Sequence, residues 1–298
     1  MLGKERVFAY EQWDVFSAVP LKGNQLAVFQ DGGGLSPDEM LAITREMNFS
    51  ESTFILPQAL EVERERGVKV RIFTRGGEVP FAGHPALGTA ISIFMRRQES
   101  RVVLDLPAGQ IPVTFEKMAQ GIYGEMVQTE PVFAEVHAPE RIAPLLGIPV
   151  SEIVSGVPVE NVSTGRPNLI VLLKSLAAVR SVKMNWAEIE RYFAAGDRQR
   201  GFYLLTREVE DRSAVVHARK LTSAGEDPAT GSAAGCAAAW MVKHGLAESG
   251  SRIGIEQGSE MHRPGMLIAR ASRVGEKIVD VRVGGFCVKV GTGELRLP

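Results

Sequence analysis

The sequence predicts an α+β protein, and three observations carry that reading. Short apolar runs, several of them alternating and bounded by glycine-containing turns, recur along the 298 residues as strand signals. Helix signals are fewer and stand apart from one another. Each half also holds one helix of small residues behind a polar loop, GHPALGTAISIFM in the first and ATGSAAGCAAAWM in the second. The length suits one large domain or, more naturally, two of about 150 residues. The likeness of the halves reads as one of architecture and not of sequence. Two similar lobes would follow, each wrapping strands around one small-residue helix. A single α/β sandwich with Ala-rich packing helices is the alternative.

The elements follow in order. RVFAYEQWDVF opens the chain as a strand, and LAVFQ follows the turn-like PLKGN. After Gly32–Gly34, Ser36 is placed as an N-cap, Pro37 at the first helical position and Glu39 to complete a capping box. That helix should run to about Met47. STFIL and VKVRIFT read as strands, the second alternating at Val68, Val70 and Ile72. PFAGHPALGTAISIFMRR is a loop feeding a helix, and RVVLDLP and QIPVTFE are strands again. The polar residues Lys117–Gln120 and the stretch Thr129–Glu140 mark the domain boundary. The first lobe is therefore placed at 1–120, completed by a C-terminal strand at about 279–298, and the second at 121–278. In the second half PERIAPLL is a short helix and LIVLL a strand. A helix starts at Asn185, whose cap is supported by Glu188, and ends at Gly196. GFYLLT and SAVVHARKL precede the Ala-rich helix. RIGIEQG, MLIARAS, KIVDVRV and CVKVG close the chain as strands separated by glycine turns.

Composition excludes several classes of function. Net charge is −1, and basic clusters stop at short pairs such as Arg96–Arg97, which argues against nucleic acid as a partner. The longest small-apolar run, Gly231–Val242, is too short and too Ala-rich to span a bilayer. MLGKERVFAYEQW has no apolar core of signal-peptide length. Cys236 and Cys287 lack metal-type neighbours and read as small buried hydrophobes. A reduced, cytoplasmic, soluble protein is expected. No phosphate loop of nucleotide-binding type and no metal-ligand cluster stands in the sequence, so cofactor-free chemistry is expected.

The stretch EDPATGSAAGCAAAWMVKHG, residues 226–245, poses the sharpest question. A helix of Gly, Ala and Ser can be approached closely, and its N-terminus offers amide N–H groups and the positive end of the helix dipole. Asp227 lies just ahead of it, and Thr230, Gly231 and Ser232 have groups suited to holding a carboxylate. Simple capping by Asp227 or Thr230 accounts for one side chain, but not for Gly231, a poor helix former. In the first half Gly83 allows close approach of a ligand and Pro85 is pre-set for a helix start. His84 between them is able to donate to or accept from a substrate; a buried histidine bonded to a carbonyl is the bland reading. His137, His217, His244 and His262 carry no motif and are read as structural or surface residues. Glu51, between two serines at the mouth of the apolar strand TFIL, is placed where partial desolvation suits proton transfer. Taken alone it reads as a solvated loop residue.

NFSESTF (48–54), IFTRGGEVPFAGHPALGTA (72–90) and EDPATGSAAG (226–235) closely resemble the PhzF family of phenazine-biosynthesis-like isomerases. WDVFSAVPLKGNQLAVF, VSTGRPNLIV and the closing glycine-rich strands extend the resemblance over nearly the whole chain. It departs in RKLTSAGEDPATG, shorter than the usual form, and at His262 and Gly265, where a Gly and a Ser are common. The resemblance implies a diaminopimelate-epimerase-type fold: two lobes, each a strongly curved, mostly antiparallel sheet around a central helix, with the active site in the cleft between them. It implies a homodimer and a small-molecule substrate bearing a carboxylate. It also places the proton-shuttling acid at Glu51. Epimerases of this fold use a cysteine at each helix tip, whereas these tips read GHP and DPATGS. A cofactor-independent isomerase is therefore expected, with Glu51 as acid/base and Asp227 and His84 orienting the substrate. Gly83, Thr230, Gly231 and Ser232 would bind its anionic group. An amino-acid racemase or epimerase, or a non-catalytic small-molecule-binding protein of the same fold, are the alternatives.

Overall fold

The computed structural model describes residues 5–193 and 201–298 of the chain. The chain divides into two compact units, one of Met1–Val127 with Gly284–Pro298 and one of Gln128–Val283. In order, the first contains β1 (Arg6–Val15), β2 (Asn24–Phe29), α1 (Pro37–Met47), β3 (Glu51–Ile55), α2 (Leu60–Arg66) and β4 (Val68–Thr74). It continues with β5 (Gly77–Val79), α3 (Gly83–Arg97), β6 (Arg101–Leu106), β7 (Gly109–Met118) and β8 (Gly121–Val127). The second contains β9 (Val132–His137), α4 (Pro139–Leu146), β10 (Val159–Ser163), β11 (Pro167–Leu172), α5 (Leu176–Ser181) and α6 (Trp186–Tyr192). There follow β12 (Gly201–Thr206), β13 (Val216–Thr222), β14 (Gly225–Asp227), α7 (Gly231–Lys243), β15 (Ile253–Gln257) and β16 (Gly265–Val274). The last strand, β17 (Lys277–Leu297), runs from the second unit into the first.

In the first unit β1 lies antiparallel to β2 and to β17, and β2 is parallel to β3. β4 runs antiparallel to β3 and to the short β5, and parallel to β6. β6, β7 and β8 form an antiparallel meander, and β8 pairs with β17. The circuit β17–β1–β2–β3–β4–β6–β7–β8 is thus a closed eight-stranded barrel, an arrangement that leaves no edge strand in the ring. It is filled by α3, buried at every residue from Gly83 to Phe94. Small residues let the helix fit: a Cβ at Gly88 would stand 2.6 Å from Leu26 Cδ2 and 2.8 Å from Val15 Cγ2. The capping box forms as the sequence predicts. Glu39 N donates to Ser36 Oγ (3.2 Å), Ser36 N donates to Glu39 Oε2 (2.8 Å), and Asn48 in left-handed conformation ends α1. α1 packs Met40 and Ile43 onto an apolar cluster with Phe29, Phe54 and Phe73, the first two rings stacked at 4.8 Å.

The second unit repeats the order of pairings. β10 is antiparallel to β11, β11 parallel to β12, and β12 antiparallel to β13. β13 is antiparallel to the short β14 and parallel to β15, which is antiparallel to β16. α7 enters after β14 as α3 does after β5. Here the sequence reading needs correction, because the likeness is also one of sequence. Arg71, Thr74, Gly77, Glu78, Pro80 and Gly83 recur without insertion as Arg219, Thr222, Gly225, Glu226, Pro228 and Gly231. Each hairpin is tied by the same two-pronged ion pair. Arg71 Nε and Nη2 donate to Glu78 at 2.7 and 2.6 Å, and Arg219 Nε and Nη2 donate to Glu226 at 2.9 and 2.8 Å. Between the repeated residues the two segments differ in nearly every side chain, which hides the pattern from inspection of composition.

Two further differences from the sequence reading concern local structure. Part of the stretch Thr129–Glu140 is strand β9, paired antiparallel to β10. α2 carries no buried residue and the five glutamates and arginines of its LEVERER sequence stand without an apolar face, so it leaves no amphipathic signal. Asn185 caps α6 as expected, accepting from Glu188 N at 3.3 Å; the predicted helix end at Gly196 lies outside the described residues.

Candidate active site

In the first unit β3 and α3 bring together Glu51, Gly83 and His84. Glu51 begins β3 beside Leu26 and Thr74, and His84 lies in the first turn of α3. His84 Nε2 stands 3.5 Å from Glu51 Oε2, with the two side chains 6% and 14% exposed. On the far side of the ring Asn24 Nδ2 lies 3.2 Å from His84 Nδ1. The ring thus lies between the Asn24 amide on its Nδ1 side and the Glu51 carboxyl group on its Nε2 side. Burial presses the His84 pKa down to about 3, against a smaller opposite effect of the Gln25 backbone. The contact is therefore a neutral imidazole beside a carboxylate and not an ion pair at physiological pH. A neutral ring can pass or share a proton without carrying a charge of its own.

The second unit brings together Asp227, Thr230, Gly231 and Ser232 where β14 passes into α7. Thr230 is the N-cap residue of α7 by backbone geometry, but its side chain does not cap the helix. Its Oγ1 donates instead to Asp227 Oδ2 at 2.5 Å. Helix capping thus does not explain the Thr230 hydroxyl. Neither α3 nor α7 begins with an acidic residue or a side-chain cap, so the positive end of each is left for other groups.

Residues that sequence reading passed over surround this turn. Gln257, 1% exposed, reaches it from the end of β15. Tyr203 on β12 donates to Gln257 Oε1 at 3.1 Å, and its hydroxyl pKa is pushed up by burial and then by Asp227. Lys220 stands opposite Asp227 in the β13–β14 register and hydrogen-bonds Asn168 Oδ1. Burial lowers its pKa to about 8, outweighing the opposing pull of Cys236 and Asp227. The only sequence signal for these groups was polar residues inside otherwise apolar strands, at IEQG and RKL.

Cys236 is fully buried against Thr164 and Asn168, and burial pushes its thiol pKa up; the Cys287 thiol is pushed up by the same cause. Cys287 is only half-buried by side-chain exposure, which corrects the reading of both thiols as buried. Among the described residues Glu210, His217 and Glu256 bring possible ligand atoms within 4.8 Å of one another. Those groups are engaged already: Glu256 accepts from the Glu210 and Asp211 amides at 2.7 Å each, and Glu210 pairs with Arg180. A groove of about 920 Å³ lies toward the other end of α3, lined by Leu60, Arg64, Ile93, Arg97 and Val103 among others, and none of the predicted site residues lines it. No helix among the described residues is long and apolar enough to cross a membrane.

The family model of phenazine biosynthesis-like (PhzC-PhzF) proteins matches residues 13–293. A trans-2,3-dihydro-3-hydroxyanthranilate isomerase from Pseudomonas fluorescens is 35% identical over 294 residues, covering 95% of this chain and 98% of that protein. A Bacillus anthracis phenazine biosynthesis protein of the PhzF family superposes with a TM-score of 0.86 at 25% identity, covering 97% of this chain and 99% of that one. A hydroxyproline epimerase from Agrobacterium vitis shares the fold, with a TM-score of 0.62 at 11% identity, covering 98% and 93%. Likeness to isomerases over nearly its whole length makes this α+β protein an isomerase with a small-molecule substrate. The chain belongs to the PhzC-PhzF family of phenazine biosynthesis-like proteins.

Proposed function

We propose that the protein is a cofactor-independent isomerase that moves a proton between two carbons of a small carboxylate-bearing metabolite. Glu51 as carboxylate takes the proton from one carbon and, as carboxylic acid, returns it to another of the same substrate. The net change is a shifted double bond, with no electron acceptor and no leaving group. His84, neutral and directed at Glu51 through Nε2, steadies the carboxylate and polarises the substrate. Asp227 orients it, while the Thr230 hydroxyl and the backbone of Gly83, Gly231 and Ser232 hold its anionic group. The observation that carries this reading is the close, buried pairing of Glu51 with an uncharged imidazole at the first turn of α3.

The duplicated scaffold favours a single base over two opposed ones. Ser52 faces Phe73 in the first unit as Phe202 faces Leu221 in the second, so the counterpart of Glu51 is Gly201. A Cβ at Gly201 would stand 1.6 Å from Lys220 Nζ, so the space beside that strand is held by an amine. With both thiols pushed toward the protonated form, a racemase-type pair of bases is also unsupported by the cysteines. The relative's named substrate is a dihydro-ring carboxylate, and we propose that class here. The test is proton NMR in D₂O over a panel of dihydroaromatic carboxylates and amino acids, with Glu51→Gln as control. A shifted double bond produced only by the parent protein supports the proposal. Loss of α-proton stereochemistry in an amino acid would instead establish a racemase, and saturable binding without any turnover a binding protein.

A further inference from the structure

Gln257 makes more hydrogen bonds to the turn before α7 than any capping arrangement needs. Its Nε2 donates to Asp227 O at 2.6 Å and to Thr230 Oγ1 at 3.1 Å. Its Oε1 accepts from Thr230 N at 3.2 Å and from Tyr203 Oη at 3.1 Å. Both protons and both lone pairs of the amide are used, and the carbonyl and amide partners admit only one orientation of the group. Because Thr230 Oγ1 accepts from Gln257, its own proton is committed to Asp227 Oδ2. A chain of bonds from Tyr203 through Gln257 and Thr230 therefore ends on the Asp227 carboxylate.

The first unit is an internal control for what this chain of bonds is for. Val68 lies beside Leu104 as Val216 lies beside Ile255, so the counterpart of Gln257 is Leu106. The hairpin repeat makes Val79 the counterpart of Asp227 and Ala82 that of Thr230. Strand, turn and buried helix are built there with apolar residues at all three places, and Leu106 is 4% exposed. The network is thus not required to fold this turn. It occurs only in the unit that carries the aspartate.

We infer that Gln257 is a positioning residue that fixes the rotamer and hydrogen bonding of the Asp227 carboxylate through Thr230. The inference rests on the proposed role of Asp227, and its test separates the two. Gln257→Leu, which copies the residue the scaffold uses at the equivalent place, is compared with Asp227→Asn and with the double variant, using trans-2,3-dihydro-3-hydroxyanthranilate. Gln257→Leu should lower kcat on the order of tenfold to a hundredfold, the scale set by a carboxylate misplaced by about an ångström. In the Asp227→Asn background the same change should cost nothing further. Multiplying losses, or full activity of Gln257→Leu beside an impaired Asp227→Asn, would overturn the inference. If Asp227→Asn is itself fully active, or the compound is not turned over, the catalytic reading of Asp227 on that substrate is what fails. The inference is then decided by ¹³C NMR titration of the Asp227 carboxyl. Gln257→Leu must shift that titration and the Thr230 hydroxyl resonance, whereas unchanged signals overturn it; circular dichroism confirms that the variant is folded.

Discussion

At the scale of single residues, Glu51 and His84 separate two effects that sequence motifs merge. Glu51→Gln keeps shape and most hydrogen bonds while removing the base. Turnover should fall by on the order of a hundredfold or more, with ligand affinity kept within about tenfold. Isothermal titration beside single-turnover kinetics checks both halves, and substantial turnover by the variant removes Glu51 from the mechanism. His84 carries a pH signature of its own. Its folded-state pKa of about 3 lies below the unfolded value of about 6.5, so the unfolded chain binds more protons in that window. The neutral ring therefore costs nothing above about pH 6.5, and stability is lost as pH falls from there toward 3. Urea midpoints from neutral to acid pH should fall less steeply for His84→Asn than for the parent. In ¹⁵N spectra the ring should remain neutral throughout; an imidazolium signal near pH 5 would contradict the buried contact.

At the scale of elements, β15 joins two kinds of polar contact through adjacent residues. Gln257 faces the α7 turn, while Glu256 accepts from His217 Nδ1 at 2.8 Å, and His217 Nε2 lies 3.1 Å from Glu260. Arg180 stands 3.5 Å from Glu260, and the Glu210 and Asp211 amides complete the Glu256 shell. Burial opposes charge on His217, but Glu260 and Glu256 outweigh it and the pKa is raised. The folded protein then holds a proton that the unfolded chain releases above about pH 6.5. Stability from this clamp is full below that pH and is lost as pH rises through the folded-state value. His217→Leu should cost about 3 kcal/mol or more in mildly acid buffer, since it leaves buried carboxylates without their cation, and less in alkaline buffer. Thermal melts across the range read the difference directly. Lys220 has the opposite sign. Its pKa of about 8 lies below the unfolded 10.5, so the charged amine is a burden at neutral pH that lifts as pH rises between those values. Lys220→Met should therefore flatten the rise in Tm between about pH 8 and 10; an unchanged slope would mean that the amine is well solvated.

For the whole molecule, the decisive strand is β17. Its pairing with β1 runs from Val15 opposite Cys287 to Arg6 opposite Leu297, and it also pairs with β8. Removing Gly284–Pro298 opens the barrel of the first unit, leaves two strand edges unpaired and exposes the helix inside. The truncated chain should lose the cooperative melt of that unit and aggregate, while the folded core of Gln128–Val283 resists protease longer. A soluble, fully protected truncation product would show that the barrel closes without this strand. The architecture is also what makes a shared chemical plan economical in sequence: one hairpin-and-helix frame appears twice, and each copy carries a different polar set. Asn24, Glu51 and His84 occupy one, while Tyr203, Asp227, Thr230 and Gln257 occupy the other.

The α+β class, the capping box at Ser36, the alternating strand VKVRIFT and both small-residue helices were legible in the sequence because their causes are local. Cap chemistry, side-chain alternation and residue size act over a few positions, and the first turns GHP and ATGS lie within such stretches. Family resemblance supplied Glu51, which local chemistry alone would have left as a solvated loop residue. What only the tertiary structure decided depends on pairing between distant segments. The residue-by-residue match of β17 to β1, the alignment of Gln257 with Asp227, and Gly201 in the place of Glu51 are set by strand register. Register fixes which side chains share a face, and no window of sequence contains both partners. The same holds for charge: a histidine is a histidine in the sequence, but burial makes His84 neutral while two carboxylates raise the pKa of His217.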